Sequence, residues 1–242
     1  MPDIDQKSSI NVMRTALVVA FVCALLVSLA AVLLRPYYLA NLEAERMARL
    51  DSILQVLRDL NEGTQLQFNA RVVDLNNGVY SDAVDPANYD ARRAASDPAV
   101  YVSIPEALDV AGLKRRARYA VVYLIGENYS AVDGLILPVR GVGYQSALYG
   151  YLALSADSSE ILALRFYEQA ETPGLGSQIQ NPAWEAQWPG KQIFDADGRV
   201  NIKFDAISGA TRTSIGVERM LQFWLGEFGF GPYLRNLREG EL

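Results

Sequence analysis

The chain has 242 residues, about half of them hydrophobic, and a formal net charge of −6 with a pI near 4.8. Such an acidic chain lacks the basic face that nucleic-acid binding requires, so we expect no nucleic-acid partner. It contains no histidine and one cysteine, Cys23. Histidine-based catalysis, histidine-linked cofactors, cysteine metal sites and an intrachain disulfide are therefore excluded, and a hydroxyl is the obvious handle for a covalent cofactor.

The first predicted element is a transmembrane helix over residues 16–34. This stretch has no charged residue and is long enough to cross the hydrocarbon core of a bilayer. Arg35 follows it directly, and Tyr37 and Tyr38 stand where aromatic side chains prefer the membrane interface. The alternative is a cleaved signal peptide, but signal cores are shorter, so we favour a retained anchor.

The charges around this span give a slight orientation bias. Lys7 and Arg14 precede it and only Arg35 lies close behind it, which weakly favours a cytoplasmic segment at residues 1–15.

Residues 35–65 are predicted to connect the anchor to the rest of the chain. An amphipathic helix over 39–61 is indicated by apolar side chains at helical spacing. They are Met47, Leu50, Ile53, Leu54, Leu57 and Leu60. This helix is either a lever or partner contact between membrane and domain, or a helix packed on its own domain.

Residues 66–242 are predicted to form one domain, which starts with a solvated, loop-rich segment over 66–103. The acidic residues of this segment do not have calcium-loop spacing, so no metal site is predicted. A small basic cluster, Lys114-Arg115-Arg116 with Arg118, is predicted to be surface charge.

Strand-like patterns dominate from Tyr119 onward, because β-branched and aromatic residues alternate with turn formers. The predicted strands are 119–125, 134–139, 151–155, 161–169, 192–195 and 201–205. A helix then begins near Thr211 or Thr213 and ends between Gly226 and Pro232. The expected fold class is α+β, with a mostly antiparallel sheet flanked by helices.

Two short motifs carry the chemistry. Ser208-Gly209-Ala210-Thr211, with Asp205 upstream, places a hydroxyl at a helix start, where free N–H groups and the helix dipole suit a phosphate. Glu171-Thr172-Pro173-Gly174-Leu175-Gly176 follows a predicted strand. Either motif alone is also typical of ordinary caps and loops.

Both motifs, in this order after one membrane span, resemble the family of covalent FMN-binding domains that includes the C subunit of the sodium-translocating NADH:quinone oxidoreductases. The resemblance implies that Thr211 carries FMN through a phosphoester and that Ser208, Gly209 and Ala210 shape the turn. Asp205 would belong to the pattern read by a separate flavin transferase, which moves FMN from FAD using Mg²⁺, or would cap the turn.

The resemblance also implies contacts to the isoalloxazine ring by Glu171, Thr172, Leu175 and Gly176. Lys191 would place a positive charge near the flavin, or is a surface lysine. Trp184 and Trp188 are expected in core packing rather than over the ring.

One position departs from the family pattern. The family tends to carry tryptophan where Gln145 stands, which puts ring packing in doubt; Tyr144 is a candidate replacement.

The function that the resemblance implies is an electron relay within a membrane complex that passes electrons from NADH to ubiquinone and exports sodium. The main domain would be periplasmic, and the partners would be the other subunits and membrane lipid. No glycine-rich dinucleotide motif is present, so NADH is not expected to bind this chain. The alternatives are the flavin subunit of the related ferredoxin:NAD oxidoreductase complex and a membrane-anchored interaction module without a cofactor.

Overall fold

The computed structural model describes residues 3–60, 67–126 and 133–242. The chain divides into two compact units, residues 1–45 and 46–242. The helices are α1 (Asp3–Leu60), α2 (Ala91–Ala94), α3 (Pro182–Glu185), α4 (Thr211–Leu225) and α5 (Gly231–Glu239). The strands are β1 (Gln67–Asp74), β2 (Val79–Tyr80), β3 (Tyr101–Ser103), β4 (Arg115–Ala117), β5 (Tyr119–Gly126), β6 (Gly134–Val142), β7 (Ala147–Ser155), β8 (Glu160–Glu168) and β9 (Lys191–Gln192).

The first unit consists of the N-terminal part of α1. A segment within Asn11–Ile53 is long and apolar enough to cross a membrane, judged by length and composition. The predicted anchor at 16–34 and the described part of the connecting segment, up to residue 60, lie in this one helix, which runs through Pro36. Residues 61–65 of the predicted connection lie outside the described residues.

The second unit is built on a seven-stranded sheet in the order β2-β1-β5-β6-β7-β8-β9. Every neighbouring pair is antiparallel, and β3 pairs with β4 in a separate two-stranded sheet. The expected α+β class with a mostly antiparallel sheet and helices is confirmed. The four long strands over 119–168 were predicted, although β7 begins four residues earlier than expected, at Ala147.

The sheet is covered on both faces because side chains along a strand alternate between them. Leu135 and Leu137 of β6 join a large core that includes Val217 and Leu221 of α4. Ile136, between them, joins a smaller core on the opposite face. The central strands are consequently apolar on both sides, which is why they were recognisable in the sequence.

The C-terminal part of α1 supplies the second cover. Leu50 and Ile53 pack with Ile136, Tyr151 and Tyr167 in the smaller core. This stretch of the helix therefore packs on its own domain, as one of the two interpretations held.

Met47 shares the helical spacing of the apolar stripe but does not take part in this packing. Its side chain is 53% exposed, whereas that of Ile53 is fully buried. A stripe at helical spacing identifies a face of the helix but does not fix where contact with the sheet starts. The side chains of Leu54, Leu57 and Leu60, also assigned to the stripe, lie outside the described part of the structure.

Two expectations for residues 66–118 are wrong. The segment predicted as loops contains β1, which pairs with β5 along its full length from Gln67 to Asp74. The cluster predicted as surface charge contains Arg116, which is 2% exposed. Its guanidinium donates to the carbonyls of Ala117 and Phe228 at 3.0 and 2.8 Å.

The fold tolerates this buried cation because its donors are satisfied. Burial lowers the pKa of Arg116 to about 10, against the opposing effect of Asp74, so the group stays charged at neutral pH. Arg118 pairs with Asp74 at 2.7 Å. Lys114 and Arg115 are the two members of the cluster that are exposed and form no salt bridge with another described residue.

The packing of α1 on the sheet gives a stability prediction. Ile53→Ala should lower the free energy of unfolding by about 2–5 kcal/mol, because it leaves a cavity in the smaller core. Met47→Ala, earlier on the same helix, is the matched control and should change it by less than about 0.5 kcal/mol. Denaturant unfolding of the detergent-solubilised chain measures both, and equal losses would contradict this packing.

Candidate functional site

The two sequence motifs meet at the N-terminal end of α4. Three segments converge there: the turn 143–146 between β6 and β7, the loop 169–175 after β8, and the first turn of α4. The hairpin turn is closed by the Gly143 N–H, which donates to the Ser146 carbonyl at 2.8 Å. Residues far apart in sequence are thus brought together at one end of strands β6, β7 and β8.

The Glu171 carboxylate holds these three segments together. Its Oε2 accepts from the Thr213 hydroxyl of α4 at 2.6 Å and from the Tyr144 N–H at 3.0 Å. Its Oε1 accepts from the Gln145 N–H at 2.9 Å and from the N–H and hydroxyl of Ser146 at 2.8 and 2.9 Å. Glu171 is only 5% exposed, so a buried carboxylate is fully satisfied by groups of its own domain.

The protonation state of Glu171 follows from these bonds. Burial raises its pKa, but the Thr213 hydroxyl and the N–H groups of Gln145 and Ser146 outweigh burial and leave the pKa below its ordinary value of 4.5. Glu171 is therefore an ionised structural acceptor at neutral pH. Both carboxylate oxygens are already engaged by groups of the domain. The contact between Glu171 and the flavin ring stays a prediction.

Next to this hydrogen-bond cluster, the backbone of Gly176 passes very close to the side chains of Thr213 and Glu171. A Cβ at Gly176 would lie 2.6 Å from the Thr213 hydroxyl oxygen and 2.8 Å from Glu171 Oε2. Glycine is therefore required where the loop passes the start of α4. Gly176 is buried, so its predicted role toward the ring could only be indirect, by letting the loop approach the helix.

Thr211 is the first residue of α4, and its side chain is exposed. The N-cap residue Ala210 supplies no side-chain hydrogen bond, so the first N–H groups of the helix lack a side-chain acceptor at the cap. Gly209 adopts a left-handed φ of +76°, and a Cβ there would lie 3.2 Å from Leu175 Cδ2. The two motifs are therefore in contact, and Gly209 suits both the turn and that contact.

The turn before α4 is held by a residue that the sequence analysis did not select. Ser214 Oγ accepts from the Ile207 N–H at 3.0 Å and donates to the Ala210 carbonyl at 3.2 Å. Ser208 and Gly209 stay exposed at the tip of this turn.

Asp205 lies upstream with its backbone bonded to other residues. Its N–H donates to Gln187 Oε1 at 2.6 Å, and its carbonyl accepts from Trp184 Nε1 at 2.9 Å. Within the described part of the chain its carboxylate has no recorded hydrogen bond. The capping interpretation of Asp205 therefore has no support, whereas a role in recognition by another protein stays open.

The segments that meet at the start of α4 carry several exposed apolar side chains. Ile215 lies one turn along the same helix face, and Leu175 covers Gly209. Val142 precedes the hairpin turn, and Tyr144, which is 54% exposed, stands on it. Scattered exposed apolar residues are ordinary, but several on the segments that meet at this helix start suit a planar apolar ligand tethered there.

Sequence reasoning missed Arg212 and Thr213. The guanidinium carbon of Arg212 lies 4.9 Å from the centroid of the Tyr144 ring, and Thr213 bonds to Glu171, as described above. Tyr144 is thus the aromatic side chain in contact with Arg212, the residue after Thr211, while Gln145 is exposed and contributes its N–H to Glu171. No sequence signal identified the contact of Arg212 with Tyr144 or that of Thr213 with Glu171, because the partners are dozens of residues apart in the chain.

Other predicted residues lie elsewhere or act through their backbone. The Thr172 carbonyl accepts from the N–H groups of Leu175 and Ser177 and shapes the loop. Lys191 lies in β9, and its Nζ donates to the Lys203 carbonyl at 2.7 Å. None of the recorded contacts of Lys191 is with either motif, so its role near a flavin stays a prediction.

Trp184 and Trp188 pack in the large core, as expected. Their rings lie 5.3 Å apart, edge to face, and both contact Phe204. Trp188 is fully buried.

The comparison with protein families agrees with this location. The family model described as "FMN-binding domain" matches residues 143–226. That range starts at the hairpin turn and ends just after α4, so it contains Glu171, Thr211 and the segments that Glu171 joins.

Named relatives extend the similarity over nearly the whole chain. The C subunit of the Na(+)-translocating NADH-quinone reductase of Pseudomonas aeruginosa is 40% identical, covering 98% of this chain and 99% of its own. The same subunit of Pasteurella multocida is 35% identical and covers 98% of each chain. Among solved structures, Shewanella oneidensis NqrC superimposes with a TM-score of 0.66 at 30% identity, covering 75% of this chain and 88% of its own.

The Glu171 cluster gives a pH-dependent prediction. Glu171→Gln should cost about 2 kcal/mol of unfolding free energy at pH 7, because an amide N–H₂ cannot accept from the Tyr144 N–H. Since the pKa of Glu171 is lower in the folded state, its stabilisation is present above pH 4.5 and is lost as the pH falls through the folded value.

Denaturant unfolding of the wild type and the variant from pH 7 to pH 3 tests this. The difference between them should shrink below pH 4.5. Glu218→Gln, on the exposed face of α4, is the control and should change little. A pH-independent difference for Glu171→Gln would contradict the assignment.

Proposed function

This chain belongs to the family formed by the C subunits of the Na⁺-translocating NADH-quinone reductases, and on that premise we propose that it relays electrons through an FMN joined to Thr211 by a phosphoester. The chain is an oxidoreductase subunit with an FMN-binding domain. The covalent bond, the residue that carries it and the relay role are the proposal.

The observation that carries this proposal is that Thr211 is exposed at a helix start without a side-chain cap, two residues after Gly209, where the two motifs are in contact. A phosphate on Thr211 would lie beside N–H groups of α4 that have no side-chain cap, at the positive end of the helix dipole. Thr213 is less suitable, because it is buried and already donates to Glu171. The residues present therefore fit a phosphate-linked cofactor.

The ring portion of FMN also finds suitable neighbours. Leu175, Ile215 and Tyr144 offer exposed apolar or aromatic surface on the segments that meet at the start of α4, and burying such surface is favourable. FMN supplies one- and two-electron chemistry when bound. The chain's own residues tether it, orient it and shape the dielectric around it, and no dinucleotide motif in the sequence provides a site for NADH.

Membrane placement follows from α1. Its apolar segment fits a single-pass anchor, and we propose that the FMN-binding domain lies on the periplasmic side with residues 1–15 in the cytoplasm. The partners would be the other subunits of the reductase and membrane lipid. The exposed Asp205 carboxylate would be available to a flavin transferase during maturation.

This proposal is favoured over the alternatives by the extent of the similarity. The relatives compared above share the name of the quinone-linked pump and match this chain along 98% of its length. No specific observation favours the ferredoxin-linked complex or an interaction module without a cofactor.

Peptide mapping tests the attachment site sharply, because trypsin cleaves after Lys203 and Arg212. In chain purified from a host with the transferase, the mass of FMN should be found on peptide 204–212, whose only hydroxyl side chains are Ser208 and Thr211. Peptide 213–219, which contains Thr213 and Ser214, should be unmodified. Flavin mass on that second peptide would refute the assignment of Thr211.

The variant Thr211→Ala completes the test. It should remove the flavin fluorescence that survives a denaturing gel while circular dichroism stays unchanged, because the exposed side chain contributes little to folding. Ser208→Ala distinguishes the two hydroxyls and should keep its flavin. A wild-type band that is dark under ultraviolet light would instead favour the interaction module.

A further inference from the structure

We propose that Arg212 is a charge-positioning residue of the flavin site: stacked on Tyr144, it holds a fixed positive charge beside the cofactor on Thr211 and raises the reduction potential of that cofactor. The inference rests on the proposed attachment to Thr211. It concerns a residue that neither sequence motif contains.

The charge belongs to the residue next to the proposed attachment point, in the first turn of α4. Arg212 is the residue after Thr211, and its guanidinium carbon lies 4.9 Å from the Tyr144 ring centroid. Tyr144 is itself fixed, because its N–H donates to the buried Glu171 carboxylate at 3.0 Å. The guanidinium is thus held over a ring whose backbone is anchored, which reduces the freedom of a long side chain.

Arg212 has no salt-bridge partner in the described part of the chain. The Glu171 carboxylate also lies at this end of α4, and its oxygens accept from Thr213, Tyr144, Gln145 and Ser146. The guanidinium of Arg212 therefore supplies a positive charge at this end of α4.

The consequence is electrostatic. Each electron that the flavin accepts adds negative charge, which a nearby cation stabilises relative to the oxidised form. The exposed apolar side chains of Val142, Leu175 and Ile215 would be covered by a bound ring, so the interaction would act across a partly water-excluded surface. We expect an effect of about tenfold on the equilibrium constant for one-electron reduction, or ~59 mV.

The chain offers a matched control on the same helix. Arg219 is exposed and lies eight residues beyond Thr211, which is ~12 Å along the axis of α4. It has the same charge but should be too distant and too well solvated to affect the flavin comparably.

The experiment uses FMN-loaded full chain in detergent and measures the midpoint potential by spectroelectrochemical titration. Arg212→Gln should lower the potential by ~59 mV at low salt. Arg212→Lys should restore most of it, because it keeps the charge, and Arg219→Gln should match the wild type. In ~1 M salt the difference between wild type and Arg212→Gln should shrink, because the screening length falls to about 3 Å.

Three results would overturn the proposal. They are an unchanged potential in Arg212→Gln, an equal drop in Arg212→Lys, and a folded Arg212→Gln chain that acquires no flavin, which would place Arg212 in attachment instead. A wild-type chain without flavin would refute the proposed function itself, so failure of the attachment and failure of the charge effect are separable.

Discussion

The site depends on how one buried negative charge is satisfied. A carboxylate as enclosed as that of Glu171 is costly unless it is hydrogen-bonded on all sides. Its donors come from the β6–β7 turn and from α4, while Glu171 itself belongs to the loop after β8. Satisfying the charge therefore brings three segments together, and each of them carries an exposed residue: Tyr144, Leu175 and Thr211. The interior of the cluster supports the fold, while its surface is left for a ligand.

The same cluster separates two threonines that the sequence presents almost side by side. Thr213 points inward and its hydroxyl is taken by Glu171, whereas Thr211 starts the helix with its hydroxyl exposed. Two residues along a helix rotate a side chain by about 200°, which explains why the two face opposite ways. Arg212, between them, turns toward Tyr144. One turn of helix thus provides a structural hydroxyl, the hydroxyl of the proposed attachment and a positive charge.

How far the sequence predicts this arrangement depends on the range of the interactions. Strands β5 to β8 and helix α4 follow from local periodicity, and the Thr211 motif identified the correct helix start. β1 was assigned to a loop-rich segment although Phe68, Ala70 and Val72 alternate with Asn69 and Arg71 as in a half-buried strand, and it pairs with β5 along its full length. Arg116 was misassigned because its acceptors are mostly backbone carbonyls, which leave no mark in the sequence. The function of Glu171 as an internal acceptor, and the stack of Arg212 on Tyr144, depend on contacts that only the folded chain creates.

The most direct test of the account is the electron density at α4 in crystals of chain purified from a host with the flavin transferase. The account predicts continuous density from the Thr211 hydroxyl oxygen to a phosphate, with the ring beside Tyr144 and Leu175 and the Glu171–Thr213 bond intact. Flavin density on another residue, or a ring bound away from the two motifs, would contradict it.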